Sequence, residues 1–277
     1  MGNLKIVGSG ADACLILGGA PASPERAAAA PQEPAHDSYA DLTPETPPSR
    51  PVTPGELLEA WNAKRANDTP AKPITRMRPS AVYDYRGPGG DLLGYVVRCD
   101  LPDVKKWTPT LRWARCADGW SRWAIWHFPE PRPLFRAEQL MREPSAVVYV
   151  LEGEKSVMAA EPLLGAPVIT WPGGTQAVSH ADWSALAGCD LILWPDADQP
   201  GEAAMIGKFD HDGALLKPGV LHLATAAGAR VQSVVMWDRT KPDGWDCADA
   251  VRDGMSRAEV LAWMSGRMVP GDELLRG

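Results

Sequence analysis

The sequence predicts an α/β protein in which a parallel sheet flanked by helices follows a small, mainly antiparallel β (α+β) subdomain and a disordered N-terminal segment. Three observations predict it. From Ala146 onward, short β-branched runs alternate with amphipathic helical stretches, the pattern of a parallel sheet covered by helices. Residues 81–128 instead alternate at the strand period around Gly-rich turns. Residues 20–54 are rich in Pro, Ala and Glu and hold almost nothing apolar enough to offset the entropy of ordering them. These textures divide the chain into a low-complexity segment over 1–52, a helix plus basic β subdomain over 53–144, an α/β domain over 145–255, and a C-terminal helix and tail over 256–277.

Taken in order, Pro54–Ala66 carries Leu57, Leu58 and Trp61 at helical spacing, with Thr53 as N-cap and Pro54 at the first helical position. The runs AVYDYR, LLGYVVRC, LRWARC and WSRWAIWHF then read as strands joined by the turns GPGGD and ADG. In the α/β part the strands are VVYVL, APVITW, DLILW and RVQSVVMW. Helices are expected over Glu154–Leu164, His180–Leu186, Gly201–Phe209 and Lys217–Ala227, with helical pieces at Asp249–Asp253 and Ser256–Met264.

Cys14, Cys99, Cys116, Cys189 and Cys247 are scattered, odd in number and form no CxxC pair, so the sequence suggests neither a disulfide framework nor a zinc ribbon. The apolar stretch Ile6–Leu17 is broken by Gly8, Gly10 and Asp12, too short for a membrane span and poor as a secretion signal. A soluble, cytoplasmic protein is the expectation, with no membrane partner.

A net charge of −7 over 277 residues argues against nucleic acid only if it is evenly spread, and it is not. Arg98–Arg136 holds eight Lys/Arg against four Asp/Glu, whereas Ala137–Gly254 holds 17 acidic against 8 basic residues. A basic segment beside an acidic one suits an enzyme that grips a phosphate backbone with one part and metal ions with the other. Lys105, Lys106, Arg112, Arg115 and Arg122, interleaved with Trp107, Trp113, Trp120, Trp123 and Trp126, are the nucleic-acid-binding candidates. The competing reading of the tryptophans is a β core.

In open parallel sheets functional groups gather at the carboxyl ends of the strands. The first α/β strand ends in Glu152-Gly153-Glu154-Lys155. The second ends in Pro172-Gly173-Gly174-Thr175, a tight turn offering bare amides, and the third in Asp196-Ala197-Asp198-Gln199-Pro200-Gly201. Two carboxylates as close as Asp196 and Asp198 repel unless a cation sits between them. Mg²⁺ is the natural occupant, since it takes one or two carboxylates plus waters and phosphate oxygens. Glu152 then serves as general acid/base or completes the metal site, and Lys155 is a candidate phosphate contact.

This ordered set resembles the TOPRIM domain shared by DnaG-type primases, phage primase-helicases, topoisomerases and some nucleases. The resemblance implies a TOPRIM-like sheet with Glu152, Asp196 and Asp198 as catalytic and metal-binding acids, Mg²⁺ (or Mn²⁺) as cofactor, and Asp246 first and Asp249 second as further metal-binding acids. Gly174–Thr175 matches a Gly-Thr of primases. Gly94–Arg98 resembles a primase strand that would set Arg98 against nucleotide or template phosphate, and Pro133–Phe135 resembles a segment preceding the primase TOPRIM part. The implied activity is a DNA primase-like nucleotidyltransferase making primers from nucleoside triphosphates on single-stranded DNA, in a phage or plasmid replication setting.

No zinc module and no GxxxxGK[ST] occur in this sequence, so template recognition and a replicative helicase would come from partner proteins, unless the chain is a fragment or a specialised relative. A TOPRIM nuclease and a non-catalytic nucleic-acid-binding replication or defence adaptor are the alternatives, and a topoisomerase is disfavoured for want of a domain offering a catalytic Tyr. The bland readings are a solvated turn and helix cap for the DxD, a helix start for Glu154 and Lys155, and a capping pair for Asp246 and Asp249.

Overall fold

The computed structural model describes residues 42–68, 79–101, 104–142 and 146–276. They form two compact units: one reaches Asp84 and resumes over Leu92–His127, and the other takes Tyr85–Asp91 and everything from Phe128 onward. Most of the low-complexity segment, residues 1–41, lies outside the described residues.

In the N-terminal unit, β1 (Thr43–Pro44), α1 (Pro54–Asp68), β2 (Pro79–Arg86, whose last two residues fall to the other unit), β3 (Leu92–Leu101), β4 (Val104–Trp107), β5 (Thr110–Arg115) and β6 (Ser121–Ile125) follow one another. The sheet runs β1-β5-β3-β2, with β4 on β3 and β6 on β5. Helix α1 starts where the sequence predicts. The Thr53 hydroxyl accepts from the Glu56 amide at 3.3 Å, while the Glu56 carboxylate accepts from the Thr53 amide at 2.8 Å, which satisfies two of the helix's unpaired donors. Leu57 and Ala60 of α1 are buried with Tyr95, Val97, Leu111 and Trp123. Within the stretch assigned to a disordered segment, Thr43–Pro44 is a strand, because Thr43 and Pro44 pair antiparallel with Arg115 and Ala114.

The second unit holds β7 (Val148–Leu151), α2 (Glu154–Leu164), β8 (Val168–Ile169), β9 (Asp190–Trp194), α3 (Gln199–Ile206), β10 (Lys208–Phe209), β11 (Leu215–Lys217), α4 (Val220–Ala226), β12 (Arg230–Val235), α5 (Cys247–Arg252), α6 (Arg257–Ser265), β13 (Met268–Pro270) and α7 (Gly271–Leu274). Its five-stranded sheet has the order β13-β12-β9-β7-β8. The pairs β12/β9, β9/β7 and β7/β8 are parallel, and β13 closes the edge antiparallel to β12. Val150, Leu191 and Leu193 are wholly buried in these central strands, as the continuous β-branched and Leu runs require. Leu151 lies opposite Trp194, so the two central strands end level with each other.

Some elements differ from the sequence reading. In place of one α-helix over His180–Leu186, the chain forms a 3₁₀ segment at Thr175–His180, ending where the helix was expected to begin, and another at Trp183–Leu186. Helix α3 stops at Ile206 because Gly207 takes φ 98°, and Lys208–Phe209 becomes a strand paired with Leu215–Lys217. The tail adds a strand, β13, as well as helices. Strands of two or three residues are too short to carry a legible period.

Candidate active site

The parallel register brings the strand tips to one edge. Glu152 follows β7 directly and Asp196 lies two residues past β9. Glu152 is 7% exposed, and its Oε1 accepts weakly from the Asp196 amide at 3.4 Å. Asp198 caps α3, its Oδ1 accepting from the Gly201 amide at 2.6 Å. Gly201 fits only because it lacks a side chain: a Cβ there would stand 2.6 Å from the Asp196 carbonyl oxygen and 2.7 Å from Glu152 Oε1. The segment after β12 returns to the same edge, where the Ala197 amide donates to the Trp245 carbonyl at 2.9 Å and the Gly244 amide to the Ala197 carbonyl at 3.1 Å.

Asp246 follows that bridge and caps α5. Its Oδ1 accepts from the Asp249 amide at 2.9 Å and its Oδ2 from the Ser156 hydroxyl of α2 at 2.8 Å. Asp249 closes the capping box at 3.3 Å and pairs with Arg252 at 2.6 Å. The capping reading thus describes what both side chains do, and Asp249 already has a cation. The neighbouring Cys247 thiol is pushed up to about 12, by burial first and by the Asp246 charge second, which leaves it inert at neutral pH.

Two polar residues that the sequence reading passed over position this edge. Thr170, fully buried at the end of β8, accepts from the Gly153 amide at 3.0 Å and so holds the turn that carries Glu152. Gly153 has φ 74°, a conformation that lets the chain leave β7 and enter α2. Tyr85, fully buried, donates to Glu154 Oε1 at 2.7 Å. A polar residue inside APVITW was the available signal for Thr170; nothing local marks Tyr85. Lys155 is exposed in the first turn of α2. Gly174 and Thr175 open the 3₁₀ segment after β8, with the Trp171 indole donating to the Gly174 carbonyl at 2.8 Å.

The donor set Glu152, Asp196 and Asp198 is hard oxygen throughout, which suits Mg²⁺. These acids share an edge without forming a group whose ligand atoms all lie within 4.8 Å; among the described residues Asp210, His211 and Asp212 form such a group. An ion held directly by one or two carboxylates, with waters completing its shell, fits that spacing better than one ligated by all three. The Asp210–Asp212 group sits in the β10–β11 turn. Asp210 Oδ1 accepts from the Asp212 and Ala214 amides at 2.9 and 2.8 Å, an ordinary Asx turn, and His211 and Asp212 are exposed.

In the N-terminal unit much of the basic charge is engaged. Arg115 pairs with Glu45 at 2.7 Å, and Arg122 pairs with Asp118. Arg112 lies over the Trp126 ring at 3.9 Å and donates to the His127 carbonyl at 3.2 Å, and burial lowers its pKa from the ordinary value. Arg98 is half-buried on β3, with its carbonyl accepting from the Ser80 hydroxyl at 3.3 Å. The side chains of Lys105 and Lys106 lie outside the described residues. Trp123 is core, stacked near Tyr95 and Trp113, and Trp107 packs on Trp61. Trp120 is 73% exposed at the β5–β6 turn.

No protein-family model matches the chain, and no curated protein matches it. Similar solved structures are phage T7 and DnaG-type primase catalytic cores. The primase fragment of the bacteriophage T7 primase-helicase is 18% identical over 66% of this chain and 60% of its own, with a TM-score of 0.38. The E. coli primase catalytic core is 18% identical over 72% of this chain and 54% of its own, with a TM-score of 0.40. The Aquifex aeolicus primase, with its zinc-binding and RNA polymerase domains, is 15% identical over 76% of this chain and 48% of its own, with a TM-score of 0.41. The match spans about half the length of both bacterial chains.

Proposed function

We propose that the chain is a primase-like nucleotidyltransferase with a TOPRIM-type site at the edge formed by Glu152, Asp196 and Asp198, using Mg²⁺ or Mn²⁺. The observation that carries this reading is the meeting of Glu152 and Asp196 past the ends of adjacent parallel strands with Gly201 of α3, so close that a Cβ on Gly201 would strike both the glutamate and the Asp196 backbone. Motifs far apart in sequence thereby act as one surface. Asp246 lines the same edge from the β12 side and is the fourth acid of the set; Asp249 supports it as capping partner.

Asp196 and Asp198 would hold the divalent ion, which when bound neutralises triphosphate charge and polarises the attacking oxygen. Glu152 takes the proton of the 3′-hydroxyl as its oxygen bonds to the α-phosphorus of the incoming nucleotide and the bond to pyrophosphate breaks. Burial of Glu152 and its tether to the Asp196 amide fix that base in position, so orientation supplies part of the rate. Lys155, Gly174 and Thr175 contact nucleotide phosphates, and Arg98 contacts nucleotide or template phosphate. Lys105, Lys106, Arg112, Arg115 and Arg122 meet single-stranded DNA, with Arg115 and Arg122 exchanging their present carboxylates for phosphates. A phage or plasmid replication setting with a separate helicase partner completes the reading.

Incubation of the full chain with single-stranded DNA, labelled nucleoside triphosphates and Mg²⁺ tests it. Short primer ladders are expected, lost in Asp198→Asn. Strand cleavage without nucleotides would replace this reading with a nuclease, and DNA binding with neither reaction would replace it with an adaptor.

A further inference from the structure

A second feature of the α/β unit joins residues of two strand-end motifs, Thr175, Gln199 and Pro200, to the β10–β11 hairpin, which no motif covered. Between the 3₁₀ segment after β8, the outer face of α3 and the neck of the β10–β11 hairpin lies a cavity of about 370 Å³. That volume falls in the range of small-molecule sites. Lys208 and Lys217 stand at its rim, and Thr175, Gln176 and Gln199 offer hydroxyl and amide groups. Val178, Pro200, Ala203 and Pro218 give it an apolar wall. No carboxylate lines it, although the surrounding stretch Ala137–Gly254 holds 17 acidic and 8 basic residues.

The two lysines carry the argument further. Lys208 and Lys217 are directly opposite each other in the antiparallel register of the hairpin. Like charges so placed destabilise a strand pair. Neither forms an ion pair among the described residues, and Lys217 Nζ reaches only the Gln176 carbonyl, at 3.4 Å, across the cavity. A paired positive charge facing an uncharged, partly apolar pocket is complementary to a ligand with an anionic end and a flat apolar body that has hydrogen-bonding edges.

We propose that this cavity binds a nucleoside phosphate, its phosphates between Lys208 and Lys217 and its base against Pro200, Ala203 and Pro218. Its lining includes none of the acids assigned to catalysis, so the inference does not rest on that assignment. Thr175 is the one residue that the cavity shares with the phosphate contacts proposed above.

Binding of ATP to the full chain in EDTA, followed by calorimetry, tests it. EDTA removes any contribution from a metal held at the Glu152–Asp198 edge. Each of Lys208→Ala and Lys217→Ala is expected to weaken binding about tenfold, the scale of one lost hydrogen bond to a charged group, with a larger loss in the double variant. Ala203→Leu, which fills the cavity without touching charge, weakens it as well. Asp198→Asn leaves it unchanged even where primer synthesis is lost, which separates this site from the catalytic reading. Pyrophosphate and adenosine each bind more weakly than ATP. No binding of ATP by the unaltered chain, equal binding by a folded double-lysine variant, or pyrophosphate binding as tightly as ATP would each overturn the proposal.

Discussion

Two acidic groups in the α/β unit invite comparison: Glu152, Asp196 and Asp198 at the ends of the central strands, and Asp210, His211 and Asp212 in the hairpin turn. By distance alone the hairpin group is the tighter, with ligand atoms within 4.8 Å of one another. It lies, however, on an exposed turn between strands of two and three residues, and Asp210 is committed to turn amides. The strand-end group is looser, yet it stands on largely buried β-strands, with Gly201 so close to both Glu152 and the Asp196 backbone that a Cβ there would strike them. Proximity of ligands within one turn is cheap to achieve locally, whereas convergence of three chain segments at one sheet edge needs the whole core. A site that must hold substrate and ion in register belongs on the second kind of support.

The largest effect that would sharpen this contrast is on catalysis. Asp198→Asn and Asp196→Asn are each expected to lower primer synthesis by about 100-fold or more, several kcal/mol of lost charge stabilisation, with thermal stability nearly preserved. The paired change Asp210→Asn with Asp212→Asn should leave the same assay unaltered. Equal losses at the two places, read as kcat under saturating nucleotide, would break the comparison.

Next comes Gly201→Ala. Its methyl would meet the Asp196 carbonyl oxygen at 2.6 Å, backbone that cannot move away at little cost, so a loss of about 1–3 kcal/mol is expected together with reduced kcat. Denaturant unfolding with the activity assay checks it. Unchanged stability and activity would mean that the strand-end acids are not held as tightly as described.

Thr170→Val should cost about 1–3 kcal/mol, the penalty for leaving the Gly153 amide without its acceptor. As Thr170 positions Glu152 rather than touching substrate, its loss should lower kcat and leave the KM for nucleotide near its original value, while Thr170→Ser restores both.

The smallest effect concerns pH. Asp238 is held at about 2 by the Thr240 hydroxyl first and the Trp263 indole second, with the Thr240 amide and Arg267 adding to them against the opposing effect of burial. A carboxyl whose folded pKa is depressed contributes stability that is full above its ordinary value of 3.8 and is lost as pH falls through about 2. Asp238→Asn should therefore flatten the acid limb of the stability profile between those values and leave catalysis at neutral pH unchanged.

Much of this was legible in the sequence. The β-branched runs marked the central strands because burial on both faces demands them, and Thr53 and Pro54 declared the start of α1 as N-cap and first helical residue. The placing of Glu152 and Asp196 just past strand ends was legible because their motifs follow the strand runs directly. The β10–β11 hairpin and β13 were not, since strands this short leave no periodic trace. Nor was the engagement of Arg115 and Arg122 by Glu45 and Asp118, because a charge tally counts residues without knowing which ones meet. Thr170 and Tyr85 act on the site through contacts 17 and 69 residues away in sequence, pairings that only the folded chain supplies.

The most direct test of the central claim is Mn²⁺ binding followed by electron paramagnetic resonance on three forms of the chain: unaltered, Asp196→Asn with Asp198→Asn, and Asp210→Asn with Asp212→Asn. Binding should vanish in the strand-end variant and persist in the hairpin variant. Loss in the hairpin variant with retention in the strand-end variant would contradict the account.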